Sequence, residues 1–440
     1  MAIDSARRRP RIFHGWYIVG FAFVAQMVAG PYVFGVFVKP MTEELGWSRG
    51  DYSLTNTFAM GVSGSIGFFI GPMVDKQYGR WLVTGGAIIA GLSLIALAFV
   101  QEQWQFWLLR GVLYTIGSAG LSPLVVNSTL SKWFVRQRGR AISTASMGLS
   151  AGAILVAPAA AYVVAQFDWR TAWVLQGVLL LVVLVIPAII IIRRQPEDVG
   201  LLPDGDVEAP ALPAGATAPI TPVRSFTTED NWTRSEALHT SQLWWLIMIF
   251  GLGNLPTSAI VLHLIPFLQD VGFAVSIAVA LVTFENIFAL VSKPFWGYYL
   301  DRLDPRALMA LGWGFKLPAL FLLPLIGDDY GIALVMALLA LYGTGVGSGQ
   351  TGQEVIWAYY FGRRHIGSVR SLALPFTIIF GAGGAWFAGW AWDQTGSYTF
   401  SFILFGALSA LAMIAIMLIR PPRRRDVAPP PPAPVATTGA

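Results

Sequence analysis

Twelve stretches of about 20 apolar residues, most parted by short polar connectors, set the terms for this chain. The first six run Trp16–Val38, Tyr52–Val74, Trp81–Val100, Phe106–Leu130, Ala141–Val164 and Thr171–Ile192. The second six run Leu243–Leu268, Val271–Trp296, Ala307–Ile326, Gly331–Tyr359, Ser371–Trp392 and Phe400–Ile419. A helix of about 20 apolar residues spans the hydrocarbon of a bilayer. Inside lipid the backbone must satisfy its own polar groups, so such runs are helical. The predicted class is an all-α membrane protein with twelve transmembrane helices. Charged residues make up 12% of the 440, where a soluble chain carries roughly 25%. That balance excludes a disordered chain and an ordinary cytosolic enzyme. The absence of cysteine removes disulfides, thiolate metal sites and cysteine nucleophiles.

The net charge of +5 does not point to nucleic acid, because the cations sit in short clusters between apolar runs. On one side fall Arg7, Arg8, Arg9, Arg11, Lys76, Arg80, Lys132, Arg136, Arg138 and Arg140. The same side takes Arg193, Arg194, Arg302, Arg306, Arg363, Arg364 and the run Arg420, Arg423, Arg424 and Arg425. The opposite connectors carry Glu43, Glu44, Asp51, Glu102, Asp168, Asp270, Asp328, Asp329 and Asp393. The positive-inside rule then predicts a multi-pass protein of the cell (inner, plasma) membrane with both termini cytoplasmic. The first span is too long for a signal peptide and has no small-residue cleavage site, so none is expected. Residues 1–195 form a first six-helix unit, 196–240 a polar cytoplasmic linker and 241–425 a second unit. A Pro- and Ala-rich tail, expected to be disordered, follows at 426–440.

The halves echo one another. Gly71-Pro-Met-Val-Asp75-Lys76 after span 2 recurs as Gly297-Tyr-Tyr-Leu-Asp301-Arg302 after span 8, with the aspartates 226 positions apart. Trp133-Phe134 and Tyr360-Phe361, each before a basic turn, and Asp168 with Asp393 repeat at nearly the same offset. A duplicated six-helix unit places a substrate site near the midplane between its halves. The pattern Gly71-x-x-x-Asp75-Lys76-x-x-Gly79-Arg80 resembles the signature loop of the major facilitator superfamily, and the resemblance covers nearly the whole chain. It implies two pseudo-symmetric six-helix bundles that work by alternating access. Asp75, Arg80, Asp301 and Arg302 are expected to gate the cytoplasmic side through charge-assisted bonds.

Three further features resemble the monocarboxylate transporter and oxalate–formate antiporter branch. They are Lys39 in Phe34-Gly-Val-Phe-Val-Lys39-Pro40, Lys132-Trp133-Phe134 before Arg138-Gly139-Arg140-Ala141, and Lys293-Pro294-Phe295-Trp296-Gly297. The branch usually has arginine where Lys293 stands, and some members carry an aspartate at Ala289. An intramembrane cation must face protein or water, whatever the family. Lysine is a mobile point charge that shifts its pKa readily, whereas arginine is a fixed fork. Lys293 is therefore the expected carboxylate post, with Lys39 gathering anions at the outer mouth.

Glu285 stands eight residues before Lys293, roughly 80° round the helix and about 12 Å along it, so the two do not pair directly. Glu285, Lys39 and Lys293 are the proton-coupling candidates. Tyr32, Tyr114, Tyr342, Asn254 and Asn286 are the remaining substrate-binding candidates. Arg110 reads as a helix brace, Glu354 as a structural partner of cytoplasmic cations and His263 as a helix contact, while Lys316 takes no role. Mid-span cations Arg110, Lys293 and Lys316 outnumber Glu285 and Glu354 by one, which favours an anionic cargo. No metal-ligand spacing and no nucleophile-base set occurs, so neither an enzyme nor a cofactor is expected. The resulting expectation is a proton-coupled symporter of a small organic anion, a monocarboxylate above all. The chain would act as a monomer whose partners are the anion, the proton and the lipid bilayer. Organic anion exchange and drug efflux are the alternatives, the latter weakened because no Gly-Pro-x-x-Gly-Gly follows Gly148.

Overall fold

A computed structural model describes residues 12–47, 49–76, 79–206, 231–326 and 331–422. The twelve spans are all helical: α1 His14–Leu45, α2 Leu54–Asp75, α3 Gly79–Leu97, α4 Gln103–Trp133, α5 Arg138–Gln166 and α6 Trp169–Ile191. The second set is α7 Ser241–Asp270, α8 Ser276–Leu300, α9 Pro305–Leu325, α10 Ile332–Phe361, α11 Ile366–Thr395 and α12 Thr399–Leu418. Large apolar side chains such as Phe69, Trp81, Phe99, Val182, Trp386 and Leu418 are exposed on the outer wall. A surface this apolar belongs against lipid tails rather than water.

Several helices outrun the apolar stretch that predicts them. α1 changes at Pro31 into a tighter 3-10 segment, Pro31–Phe37, and then continues as an amphipathic helix, Val38–Leu45, closed by Gly46 at φ +68°. Proline removes a donor from the ladder there, and the glycine accepts the left-handed cap without strain. α4 is wound as a wide π turn over Trp107–Tyr114 and breaks again at Ser122 before Pro123. Such single wide turns gather at functional positions.

Small residues set the close crossings. A Cβ on Gly71 of α2 would overlap the Gly367 carbonyl oxygen of α11, and one on Gly297 of α8 would overlap Ser143 of α5. Gly139 of α5 in turn meets the Gly297 carbonyl oxygen. These two crossings are copies related by the internal repeat, and they join the first bundle to the second. Helices approach this closely in lipid only where side chains are absent.

All of these crossings lie toward the cation-rich face, where the connectors after α2, α4, α6, α8 and α10 gather. Of the predicted linker, residues 196–206 and 231–240 are described. Asp204 accepts from the backbone N–H groups of Val135, Arg136 and Gln137, docking the first part onto the α4–α5 connector. The tail at 426–440 lies outside the described residues.

Candidate functional site

Two zones carry the buried charge, a sealed junction and an open cleft. At the junction, Asp75 pairs with Lys132 Nζ at 2.9 Å, both side chains nearly buried. The same carboxylate accepts from the backbone N–H groups of Gly367 (3.2 Å) and Ser368 (2.6 Å), at the start of α11. Its repeat mate Asp301 accepts from Gly139 N (2.6 Å) and Arg140 N (3.3 Å), at the start of α5. A carboxylate at a helix N-terminus meets unpaired N–H groups and the positive end of the helix dipole. Burial pushes the Asp301 carboxyl up to about 7, against the pull of those N–H groups and of Arg140, with Asp204 adding to the rise.

Arg363 ties the second bundle to the Lys132 carbonyl at 2.8 Å and to Glu197 at 2.7 Å. Arg370 donates to the Pro123 carbonyl of α4 at 2.9 Å and pairs with Glu354. Asn127 of α4 lies beside Glu354, and the two stand 227 positions apart, at the offset of the internal repeat.

The signature arginines do otherwise than the sequence suggests. Arg80 donates to the Ile192 carbonyl at 3.4 Å within its own bundle, because α3 starts beside the end of α6. Lys132 takes its place as the cation on Asp75. Arg302 stays on α8, donating to the Tyr298 carbonyl (3.1 Å) and stacking on the Tyr298 ring at 3.5 Å.

Lys293 is also a junction residue here. It is fully buried, and its ammonium donates to the Ser146 carbonyl at 2.8 Å and to Ser150 Oγ at 3.0 Å, both on α5. It points from one bundle into the other and has no ion-paired carboxylate among the described residues.

The cleft is a cavity of about 720 Å³ on the other side of this seal, lined chiefly by α1, α2 and α4 with Leu149, Val261 and Ile378 from α5, α7 and α11. Arg110 is its cation. The guanidinium lies 3.6 Å above the Phe34 ring and 5.4 Å from the Tyr114 ring. Both Arg110 and Tyr114 ride the wide turn of α4, whose freed Arg110 carbonyl accepts from Thr115 Oγ1. No carboxylate is paired with Arg110 among the described residues.

Tyr114 lines the cleft, but its hydroxyl donates to the Ala29 carbonyl at 3.0 Å, where α1 changes pitch. A carboxylate accepts and cannot donate, so this phenol offers it a wall rather than a bond. From sequence Arg110 is expected to be a brace; a charged side chain four residues into the predicted span Phe106–Leu130 is the signal that marks it otherwise.

The other candidates fall elsewhere. Lys39 is exposed beside Glu43 at 3.8 Å, at the far end of α1. The side chain of Tyr32 lies outside the described residues. Tyr342 is buried in the second bundle beside Thr257 and close to Glu285. Asn254 donates to Gln353 at 2.9 Å, and Asn286 to the Val282 carbonyl of its own helix. Glu285 is buried in the fields of Lys316 and Lys293, and Lys316 donates to Thr257 Oγ1 at 3.3 Å. His263 bridges Tyr398 and the Ala385 carbonyl, a helix contact.

Twelve spans in two repeated bundles, sealed on one face and cleft on the other, define a secondary transporter rather than an enzyme. The family model described as "Major Facilitator Superfamily" matches residues 16–383, and the chain belongs to that family. It is 23% identical over 343 residues to the oxalate:formate antiporter of Oxalobacter formigenes, covering 76% of this chain and 74% of that protein. To human monocarboxylate transporter 11 it is 25% identical over 418 residues, covering 90% of this chain and 80% of that one. Among solved structures, the proton:xylose symporter XylE superposes with a TM-score of 0.65 at 13% identity, covering 92% and 95% of the two chains.

Proposed function

We propose that this transporter carries a small organic anion, a monocarboxylate, in symport with a proton. The observation that carries the reading is a single positive charge at the wall of the cleft, with no carboxylate paired to it among the described residues. Its relatives, an oxalate:formate antiporter and monocarboxylate transporters, support the same class of cargo. With the cation-rich face cytoplasmic, the cleft opens outward, and the two bundles are the units that rock about the junction.

In this state Lys293 serves the seal. When the junction parts, Ser146 and Ser150 leave it, and its charge becomes available to the cargo or to a proton. Glu285 lies within the fields of both Lys293 and Lys316 in the same bundle and is the proton acceptor of the scheme, while Lys39 gathers anions at the mouth. Coupling to a proton matters because an anion entering alone climbs the membrane potential, at about 2.3 kcal/mol per 100 mV. Gating falls to Asp75 and Asp301, with Lys132 in the place first given to Arg80.

Reconstituted protein with an acid exterior tests the coupling. Uptake of a labelled monocarboxylate should rise with the pH gradient and collapse with a protonophore. Uptake indifferent to both, but driven by a preloaded second anion, would make the protein an exchanger instead, a reading the antiporter relative favours.

A further inference from the structure

We propose that Arg110 is the carboxylate anchor of the open cleft, and that the cargo it selects is a monocarboxylate with a bulky apolar or aromatic body. The inference rests on the anion reading above and assigns it a residue and a shape.

Three observations carry it. Arg110 is nearly buried, yet it lines the cavity and has no ion-paired carboxylate among the described residues. A buried cation in a low-dielectric wall is costly until a counter-charge arrives. Next, the wide turn Trp107–Tyr114 is the local distortion that carries both Arg110 and Tyr114 to the cavity, and Gly111 on it lets α2 close in at Thr55 and Phe58. Last, the guanidinium face is taken by Phe34, which leaves its N–H edge for a ligand. A guanidinium edge matches a carboxylate with two parallel bonds.

The remainder of the wall fixes the cargo's body. Ala59, Met60, Leu149, Val261 and Ile378 are apolar, and the polar lining consists of small hydroxyls and amides such as Ser63, Asn56 and Ser118. One cation offsets one carboxylate; a second carboxylate would enter without a partner and pay its desolvation in full. At about 720 Å³ the cavity is in the range that holds drug-sized ligands, well beyond a two-carbon dianion. The rings of Phe34 and Tyr114 stand edge-on to each other beside the cation and offer an aromatic body its packing surface.

Binding to the full-length protein in lipid nanodiscs, measured by titration calorimetry, tests this with three probes: phenylacetate, its neutral analogue phenylacetamide, and oxalate. Phenylacetate should bind saturably, with phenylacetamide and oxalate each at least tenfold weaker. Arg110→Gln should weaken phenylacetate by about ten- to a hundredfold, the loss of a charge-assisted pair, and Arg110→Lys should recover part of it. A readout that keeps Arg110 intact uses the chain's lack of cysteine: in Ser63→Cys, phenylacetate should slow maleimide labelling and oxalate should not.

Phenylacetate affinity within twofold of wild type in folded Arg110→Gln would remove Arg110 as the anchor and leave the anion reading standing. Oxalate binding as tightly as phenylacetate, lost in Arg110→Gln, would keep the anchor and overturn the single-carboxylate cargo. Failure of the wild type to bind either acid would overturn both this assignment and the anion reading.

Discussion

Arg110 and Lys293 are both buried cations within apolar helices, yet the structure gives them opposite surroundings. Arg110 lines the cleft with its face on an aromatic ring. Lys293 is clasped by the opposite bundle through a carbonyl and a hydroxyl. The difference teaches that an intramembrane charge is not by itself a ligand post. What decides is whether its hydrogen-bond donors are already spent. The junction occupies two of the three N–H groups of Lys293, and among the described residues no hydrogen-bond acceptor takes the edge of Arg110.

The largest expected effect comes from breaking the junction at its other end. Asp75→Ala leaves Lys132 buried without its counter-charge and strips two helix-end N–H groups of their acceptor. Removing one member of a buried pair costs about 3–5 kcal/mol, here charged against the sealed state. Spin labels at Gln101→Cys and Gln394→Cys, on the acidic face of either bundle, should lose most of their long-distance population. A distribution like that of the unmutated pair would show that Asp75 does not hold the seal.

Lys293→Met comes next. It removes two hydrogen bonds from a charged donor, worth about 1.5–3 kcal/mol each before relaxation. Net uptake should fall at least tenfold while the cleft keeps an intact Arg110. A variant that transports normally would strip Lys293 of both its sealing and its coupling role.

The glycine crossing sharpens the same division. Gly297→Ala drives a methyl group into Ser143 and the Gly139 carbonyl, and overpacking of this kind costs about 1–3 kcal/mol. Gly20→Ala has open space around its Cβ and should stay within about 0.5 kcal/mol of wild type. Equal thermal-unfolding midpoints for the two variants would show the crossing to be slack.

The smallest effect is that of pH. In the sealed state burial holds the Asp301 carboxyl at about 7, among the charged neighbours Arg138, Arg140 and Asp204. Freed by parting of the junction, it returns toward its ordinary value near 4. The ionised form is the one penalised by sealing, so sealing takes up a proton. The sealed state therefore gains as pH falls from about 7 toward 4 and gains nothing above that window. A step of one unit, from pH 7 to 6, shifts the balance by about 1 kcal/mol and should lengthen the Gln101–Gln394 distance distribution modestly, and Asp301→Asn should abolish the dependence. A shift of the opposite sign would contradict the assignment.

The twelve helices were legible in the sequence because lipid forces one backbone solution on every apolar run of bilayer length. The repeat was legible because Asp75 and Asp301 keep their spacing from neighbouring glycines. The site was only half legible. Asp75 stands five residues from Arg80, but its cation is Lys132, delivered by α4 packing beside α2 rather than by sequence proximity. Lys293 is held by Ser146 and Ser150, ordinary serines more than 140 positions away that no pattern marks. Arg110 depends on a wide helical turn, and neither propensity nor periodicity encodes that extra residue per turn. Tyr114 lines the cleft, but its proton is committed to the Ala29 carbonyl by the change of pitch in α1, a contact that no sequence pattern marks.

The most direct test sets the two cations side by side in one distance measurement, with the Gln101→Cys and Gln394→Cys label pair and no ligand present. Lys293→Met should move the population toward short distances, because the seal weakens. Arg110→Gln should leave the wild-type distribution in place, because the cleft and not the junction has changed. The reverse pattern, or identical distributions in both variants, would contradict the assignment of one cation to the seal and the other to the cargo.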